Sequence, residues 1–146
     1  MGMLDWLRRK QQGDHTAELV LSPEEAEFAG LNIKQVLDAH MAWKTRLQNI
    51  LSGTSNETVE VSQVAPDNLC VLGKWLYSPG GQNFKSLPEF ETLHTTHSKF
   101  HLAAGEILAA FNNGNIDAAK MLFKGDFRSL SDSIQLDLVR LYAARK

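Results

Sequence analysis

The chain has 146 residues, of which 43% are apolar, and a formal net charge of −2 at neutral pH. This length suits one domain with a hydrophobic core, and the near-neutral charge excludes a broad nucleic-acid-binding surface. The single cysteine excludes an internal disulfide framework and favours a reducing cytoplasm.

Residues 1–28 differ from the rest and are predicted to be an N-terminal extension of one domain that covers residues 29–146. Trp6 lies among apolar residues that precede a basic run. This pattern predicts either a short amphipathic helix that touches a partner or an anionic membrane, or a frayed turn. Ser22 and Pro23 are typical of a helix start. No apolar run approaches the roughly 20 residues that a transmembrane segment needs, so none is predicted.

The first two predicted helices are joined by a polar loop. In residues 31–51, apolar side chains recur every three or four positions, which predicts a helix with one buried face. The second helix is short, over residues 66–77, and contains Gly73, which lowers helix stability and would be tolerated if another helix packs closely there. Pro79 and the two glycines after it are predicted to break the chain.

The last two predicted helices are longer. A capping box at Ser86 starts the third helix, and its inward positions recur at steps of four and three: Phe90, His94, His97, His101, Ala104, Leu108 and Phe111. The fourth helix covers residues 115–144 with a pause at Gly125. The predicted fold class is therefore all-α, an antiparallel four-helix bundle with a short second helix and an N-terminal extension.

Four residues with metal-binding side chains fall at inward positions: His40, Cys70, His97 and His101. The last two are four residues apart on one helix face, so both rings can bind one ion. Three imidazoles and one thiolate fill a tetrahedral Zn²⁺ shell with no vacancy. A full shell favours structure, metal sensing or thiol chemistry over hydrolysis, and the chain is therefore not expected to be an enzyme.

Other interpretations of these residues stay open. Each histidine could be a hydrogen-bonded core residue, and Cys70 an inert buried thiol. Haem ligation by paired histidines is a further alternative, although the C-x-x-C-H attachment motif is absent. A di-iron centre would need two Glu-x-x-His motifs, and only the one that ends at His94 is present. His94 could also replace His97, although the four-residue step to His101 favours His97.

Three motifs together resemble the chemoreceptor zinc-binding domain family over about residues 30–145: HMAW at 40–43, CVLGKWLY at 70–77 and HSKFH at 97–101. The resemblance implies zinc ligands at His40, Cys70, His97 and His101 and leaves His94 out. It also implies a homodimer and a bacterial cytoplasmic sensory domain, which in the family is usually fused to a chemoreceptor signalling hairpin or a diguanylate cyclase domain. The sequence has neither a receptor hairpin nor a GGDEF-type motif, which predicts a stand-alone protein whose output passes through a separate partner or through self-association.

The predicted function is a zinc site that responds to zinc level or to an oxidant such as hypochlorous acid, and that signals in chemotaxis or cyclic-di-GMP control. The resemblance implies these signals. Zinc would hold the sulfur of Cys70 as a thiolate, which is the form that oxidants attack. The alternative function is a structural zinc-binding adaptor without sensing, because closed four-ligand sites are usually structural.

Overall fold

The computed structural model describes residues 3–13, 27–55, 57–68 and 70–144, and these form a helical bundle. Its helices are α1 (Met3–Gln11), α2 (Ile33–Ser52), α3 (Val61–Val64), α4 (Val71–Leu76), α5 (Pro79–Gln82), α6 (Pro88–Asn112), α7 (Ile116–Leu122) and α8 (Arg128–Ala144). A π-helical turn, Phe123–Phe127, joins α7 to α8, and a hairpin pairs β1 (Glu27–Phe28) with β2 (Leu31–Asn32). The predicted all-α class is confirmed, whereas the predicted helix start at Ser22 lies outside the described residues.

Helix α6 is the centre of the bundle and packs against α3, α7 and α8. Its buried face supplies much of the core: Phe90, Leu93, His97, Phe100, His101, Ala104, Ile107 and Leu108. The chain turns back at Gly114, whose φ of 82° suits glycine, and then enters α7. In the described ranges, every helix is too short or too polar to cross a bilayer.

The middle of the chain differs from its sequence prediction. Cys70 lies before α4 rather than inside a longer helix, because its backbone is extended and its sulfur caps the helix by accepting the Gly73 N–H at 3.4 Å. The segment from Pro79 forms one helical turn where a break was predicted. The predicted polar loop contains α3, whose Val64 is buried against the core.

Helix α6 begins at Pro88, and the predicted capping box at Ser86 is wrong. Leu87 occupies the cap position without a side-chain hydrogen bond. The proline ring presets the backbone for the first turn and supplies no N–H that would need a partner, so the helix can start without a polar cap. The predicted pause at Gly125 is confirmed, because this residue has non-helical dihedral angles inside the π-turn.

The N-terminal helix α1 packs against α8. Trp6 is 1% exposed and belongs to the hydrophobic core, so the prediction of a frayed turn is wrong. A helix of nine residues is marginal alone in water, and burial of the indole ring is what stabilises it here. The boundary predicted at residue 28 stays a prediction.

Replacement of Trp6 by alanine should lower the free energy of unfolding by about 3–5 kcal/mol, because the change removes a fully buried indole ring. Urea denaturation followed by circular dichroism would measure the loss. Arg9→Ala is the matched control on the same helix: Arg9 is exposed, and the change should cost less than about 0.5 kcal/mol. A loss below about 1 kcal/mol for Trp6→Ala would mean that α1 does not dock as described.

Candidate metal centre

The structure brings the four predicted metal-binding residues together. His40 comes from α2, Cys70 from the cap of α4, and His97 and His101 from α6, and one potential ligand atom of each lies within 4.8 Å of all the others. The sulfur is 3.2 Å from Nε2 of His97 and 3.5 Å from Nε2 of His101, and those two nitrogens are 3.0 Å apart. Nitrogen and sulfur ligands of one tetrahedral zinc are about 3.3–3.6 Å apart. The cluster therefore has the size of a single-ion site.

Backbone carbonyls orient two of the three imidazole rings. Nδ1 of His40 donates to the carbonyl oxygen of Val36, and Nδ1 of His101 donates to that of Val64, each at 2.7 Å. A carbonyl oxygen can only accept, so in both rings the proton lies on Nδ1 and the lone pair on Nε2. Metal-binding histidines are commonly held in this way, with the second nitrogen bonded to a carbonyl.

Two buried nitrogens have no hydrogen-bond partner among the described residues, and they are Nε2 of His40 and Nδ1 of His97. A buried polar atom without a partner costs about 1–3 kcal/mol. Nε2 of His40 carries a lone pair, because its ring proton is already used on Val36, and a cation in the cluster would satisfy it. Three imidazole nitrogens and one thiol also form a donor set that suits zinc, and the residues present therefore fit this metal.

Burial keeps the histidines neutral. Burial, and to a lesser extent the neighbouring histidines, lowers the pKa of His97 to about 2. Burial lowers the pKa of His40 to about 4, with a further contribution from His101 and against the opposing effect of the hydrogen bond to Val36. Burial also lowers the pKa of His101. All three rings therefore have a lone pair to offer at neutral pH, which is the protonation state that a metal requires.

The thiol of Cys70, unlike the three imidazole rings, is not in its metal-binding protonation state at neutral pH. Burial raises the pKa of its thiol, the backbone N–H groups that cap the sulfur lower it, and the carboxylate of Asp67 raises it. Without a cation the sulfur is a neutral thiol near pH 7, so a bound metal would be what converts it to a thiolate. Cys70 is half-buried, whereas the three histidines are buried, and so it lies on the more accessible side of the cluster.

Asp67 ties the loop that carries Cys70 to the helix that carries the two histidines. Its carboxylate accepts hydrogen bonds from the hydroxyl of Ser98, which lies on α6 between His97 and His101, and from the hydroxyl of Tyr77 at 3.2 Å. Sequence reasoning placed Asp67 at the predicted start of the second helix and gave it no role at the metal site. Its position three residues before Cys70 was the only sequence signal for this contact. Its partners Tyr77 and Ser98 lie in the CVLGKWLY and HSKFH motifs.

Close backbone contact further fixes this loop. A Cβ atom on Gly73 would overlap the carbonyl oxygen of Asp67. The sequence predicted close packing by another helix at this glycine, whereas the structure shows the chain's own preceding turn there. Only glycine lets α4 start directly behind Asp67 with the sulfur of Cys70 turned toward the histidines.

His94 lies beside the cluster and not in it. Its Nε2 is 3.0 Å from the hydroxyl of Tyr77 and 3.8 Å from the carboxylate of Asp67. The ring therefore contacts the residues that hold the Cys70 loop.

The two tryptophans in the motifs do not contribute to the metal cluster. Trp75 packs in the apolar core, and the ring centroid of Trp43 lies 4.0 Å from the guanidinium carbon of Arg46.

The family model of the chemoreceptor zinc-binding domain matches residues 40–108. The matched segment starts at His40 and includes Cys70, His97 and His101. The resemblance drawn from the three sequence motifs is thereby confirmed over this segment, which is shorter than the span of about 30–145 expected from the sequence. No curated protein and no solved structure gave a significant match to the chain.

The metal-free protein should lose stability as the pH falls from 7 to 5. An unfolded histidine binds a proton near pH 6.5, whereas folded His40 and His97 stay neutral well below that pH. The unfolded state then binds more protons, so the free energy of unfolding falls with pH, by at most about 1.4 kcal/mol per pH unit for each histidine. Urea titrations with chelator at several pH values would measure the slope. A profile that is flat over this range, or equally steep in a His40→Phe variant, would contradict the assignment.

Replacement of Gly73 by alanine should lower the affinity for zinc by at least tenfold, because the new methyl group displaces Asp67 and with it the sulfur of Cys70. Competition with a zinc-binding dye would measure the affinity, and circular dichroism would check that the bundle is intact. Lys74→Ala, an exposed position on the same helix, is the control and should bind zinc as the wild type does. Equal affinity in the two variants would show that the close contact is unimportant.

Proposed function

We propose that this chain binds one Zn²⁺ and uses the site as a sensor, because residues 40–108 match the family model of the chemoreceptor zinc-binding domain. The ring nitrogens of His40, His97 and His101 and the sulfur of Cys70 would hold the ion. The observation that carries the proposal is the convergence of these four donors, together with the two carbonyl bonds that leave lone pairs on Nε2 of His40 and His101. Four protein donors leave no position for a substrate water, so enzymatic activity is not part of the proposal.

The proposed signal acts on the sulfur of Cys70. When bound, zinc supplies the positive charge that keeps this sulfur a thiolate, against the effect of burial on its pKa. Hypochlorous acid oxidises a thiolate by two electrons to sulfenic acid and is itself reduced to chloride. The oxidised sulfur has lost its negative charge and binds a cation poorly, so the four-donor site would open at Cys70.

Two contacts would carry such a change to the surface. Cys70 caps α4, so a displaced sulfur removes the acceptor for the Gly73 N–H. On the other side, Phe100 lies 5.2 Å from the ring of His40 and stacks on Phe127 of the π-turn at 4.9 Å between ring centroids. Loss of the ion would therefore loosen the helix start at Cys70 and the packing against the π-turn.

We propose that this chain acts as a homodimer in the cytoplasm. Its output would pass to a separate signalling protein of a chemoreceptor or diguanylate cyclase system. A reducing compartment suits the site because Cys70 must be a free thiol to bind zinc. A second mode of sensing, reversible zinc occupancy, uses the same site, since a metal that binds only the folded state stabilises it in proportion to its concentration.

A structural zinc-binding adaptor is the second candidate function. The observation that favours it is the closed donor set, which is usual for structural zinc. An ion that is retained under oxidant, with unchanged structure, would support the adaptor over the redox sensor. A zinc affinity too high for exchange at cellular concentrations would exclude sensing of zinc level.

Hypochlorous acid should release about one zinc per chain from the wild-type protein, and dithiothreitol should then restore zinc binding, because a sulfenic acid is reducible by thiols. A zinc-sensitive dye would follow the release and elemental analysis the starting content. The Cys70→Ser variant should hold its zinc more weakly but show no additional release with oxidant, since it lacks the reactive sulfur.

Methionine oxidation needs its own control because Met41 and Met121 are 53% and 76% exposed and react with the same oxidant. A Met41→Leu, Met121→Leu double variant keeps Cys70 and should release zinc as the wild type does. Release that is equal in Cys70→Ser and wild type, or that dithiothreitol cannot reverse, would contradict the redox proposal.

A further inference from the structure

Four positively charged side chains surround one cavity of about 430 Å³ on the side of the bundle where α2 meets the α7–α8 pair. Lys44 comes from α2, Lys120 from α7, Lys124 from the π-turn and Arg128 from the first residue of α8. None of the four is used by the metal centre. Cavities of about 300–1,000 Å³ are typical of sites for small ligands.

Among the residues that the structure describes, no carboxylate balances the charges of this cavity. No carboxylate lines the cavity, and none of its four cations forms an ion pair within the described ranges. The chain as a whole has a net charge of −2, so the charge of +4 around this cavity reflects a local clustering of cations and not a basic chain. Cations that surround one concavity raise the local concentration of anions.

Three of the cations come from one short stretch of chain. Lys120, Lys124 and Arg128 lie on α7, in the π-turn and at the start of α8, so their like charges repel one another beside the same cavity. The π-turn that carries Lys124 is an irregularity at the same place, and such turns inside α-helices frequently occur at functional sites. A bound anion would relieve the repulsion.

The rest of the lining is partly apolar. Leu51 is buried and Phe123 half-buried at this cavity, which gives it a wall that a flat ring can contact. Aromatic side chains are surfaces on which nucleobases stack favourably. The combination of an aromatic wall and several cations suits a ligand that carries both a flat ring and a phosphate.

A second cavity of about 570 Å³ adjoins the first and shares Lys44 and Arg128 with it. Lys10 and Asp132 also line this second cavity. Lys44 and Arg128 therefore border both cavities. A second phosphate on a ligand in the first cavity would lie near these two cations at the entrance to the second cavity. The carboxylate of Asp132 makes the second cavity less attractive to anions than the first.

We propose that the cavity between α2 and the α7–α8 pair, bounded by Lys44, Lys120, Lys124 and Arg128, binds a nucleotide, with the phosphate among the cations and the base against Phe123. The four cations are confined to one concavity, which favours a small ligand over the extended backbone of a nucleic acid. This inference goes beyond the zinc-dependent function and does not depend on it.

The test is isothermal titration calorimetry of the zinc-loaded full chain with the four ribonucleoside monophosphates, with inorganic phosphate and with adenosine. At least one nucleotide should bind tenfold or more tightly than both phosphate and adenosine, and a Lys120→Ala, Lys124→Ala double variant should lose at least tenfold of that affinity. Lys74→Ala, Lys85→Ala is the matched control, because both lysines are exposed and lie outside the cavity. Phe123→Leu should weaken nucleotide binding and leave phosphate binding unchanged.

Several outcomes would overturn the proposal. These are the absence of nucleotide binding at millimolar concentration, equal affinity for nucleotide and inorganic phosphate, and an equal loss of affinity in the control variant. Tighter binding of a single-stranded oligonucleotide or an acidic peptide than of any nucleotide would assign the surface to a macromolecule instead. Zinc content measured on the same samples separates this result from a failure of the metal site.

Discussion

Three imidazole rings buried at one point are the constraint on which the rest of this structure depends. Each ring has two nitrogens that need partners, and the carbonyls of Val36 and Val64 satisfy one nitrogen on each of two rings. Helix α3 is short, but it is what places the carbonyl of Val64 beside His101. One remaining nitrogen of each ring lies close to those of the other two and to the sulfur of Cys70, and the lone pair on Nε2 of His40 has no partner among the described residues unless a cation is bound.

The two halves of the site differ in how firmly the fold holds them. The histidines lie on the long helices α2 and α6, inside the core, where packing fixes their rings. Cys70 lies before a six-residue helix and is held by the hydrogen bonds of Asp67 and by the close approach at Gly73. A chemical change at the sulfur therefore acts on the less buried part of the site, and under the proposed sensing function this is where a signal would start.

The π-turn lies between the metal cluster, which favours a cation, and the cavity at Lys124, which favours an anion. On its inner side, Phe127 stacks on Phe100, which contacts the histidines of the site for a cation. On its outer side, Phe123 and Lys124 face a cavity that favours an anion. Phe123 and Phe127 stack on each other at 5.4 Å between ring centroids, so the turn is packed on both sides and is a continuous part of the core.

Periodicity and spacing predicted the helices around His40 and His97 and the pause at Gly125, because a buried helix face must repeat every three or four residues wherever it packs. The same spacing made His40, Cys70, His97 and His101 candidate metal ligands, and the family resemblance selected them over His94. The cap at Cys70 is local, but cysteine is not among the residues that usually cap a helix, so the pattern did not indicate it. The sequence by itself could not dock Trp6 on α8 or join Asp67 to Ser98, since both depend on residues far apart in the chain. The cationic cavity has the same origin: Lys44 is 76 residues from Lys120, and only the packing of α2 against the end of the chain brings their charges to one surface.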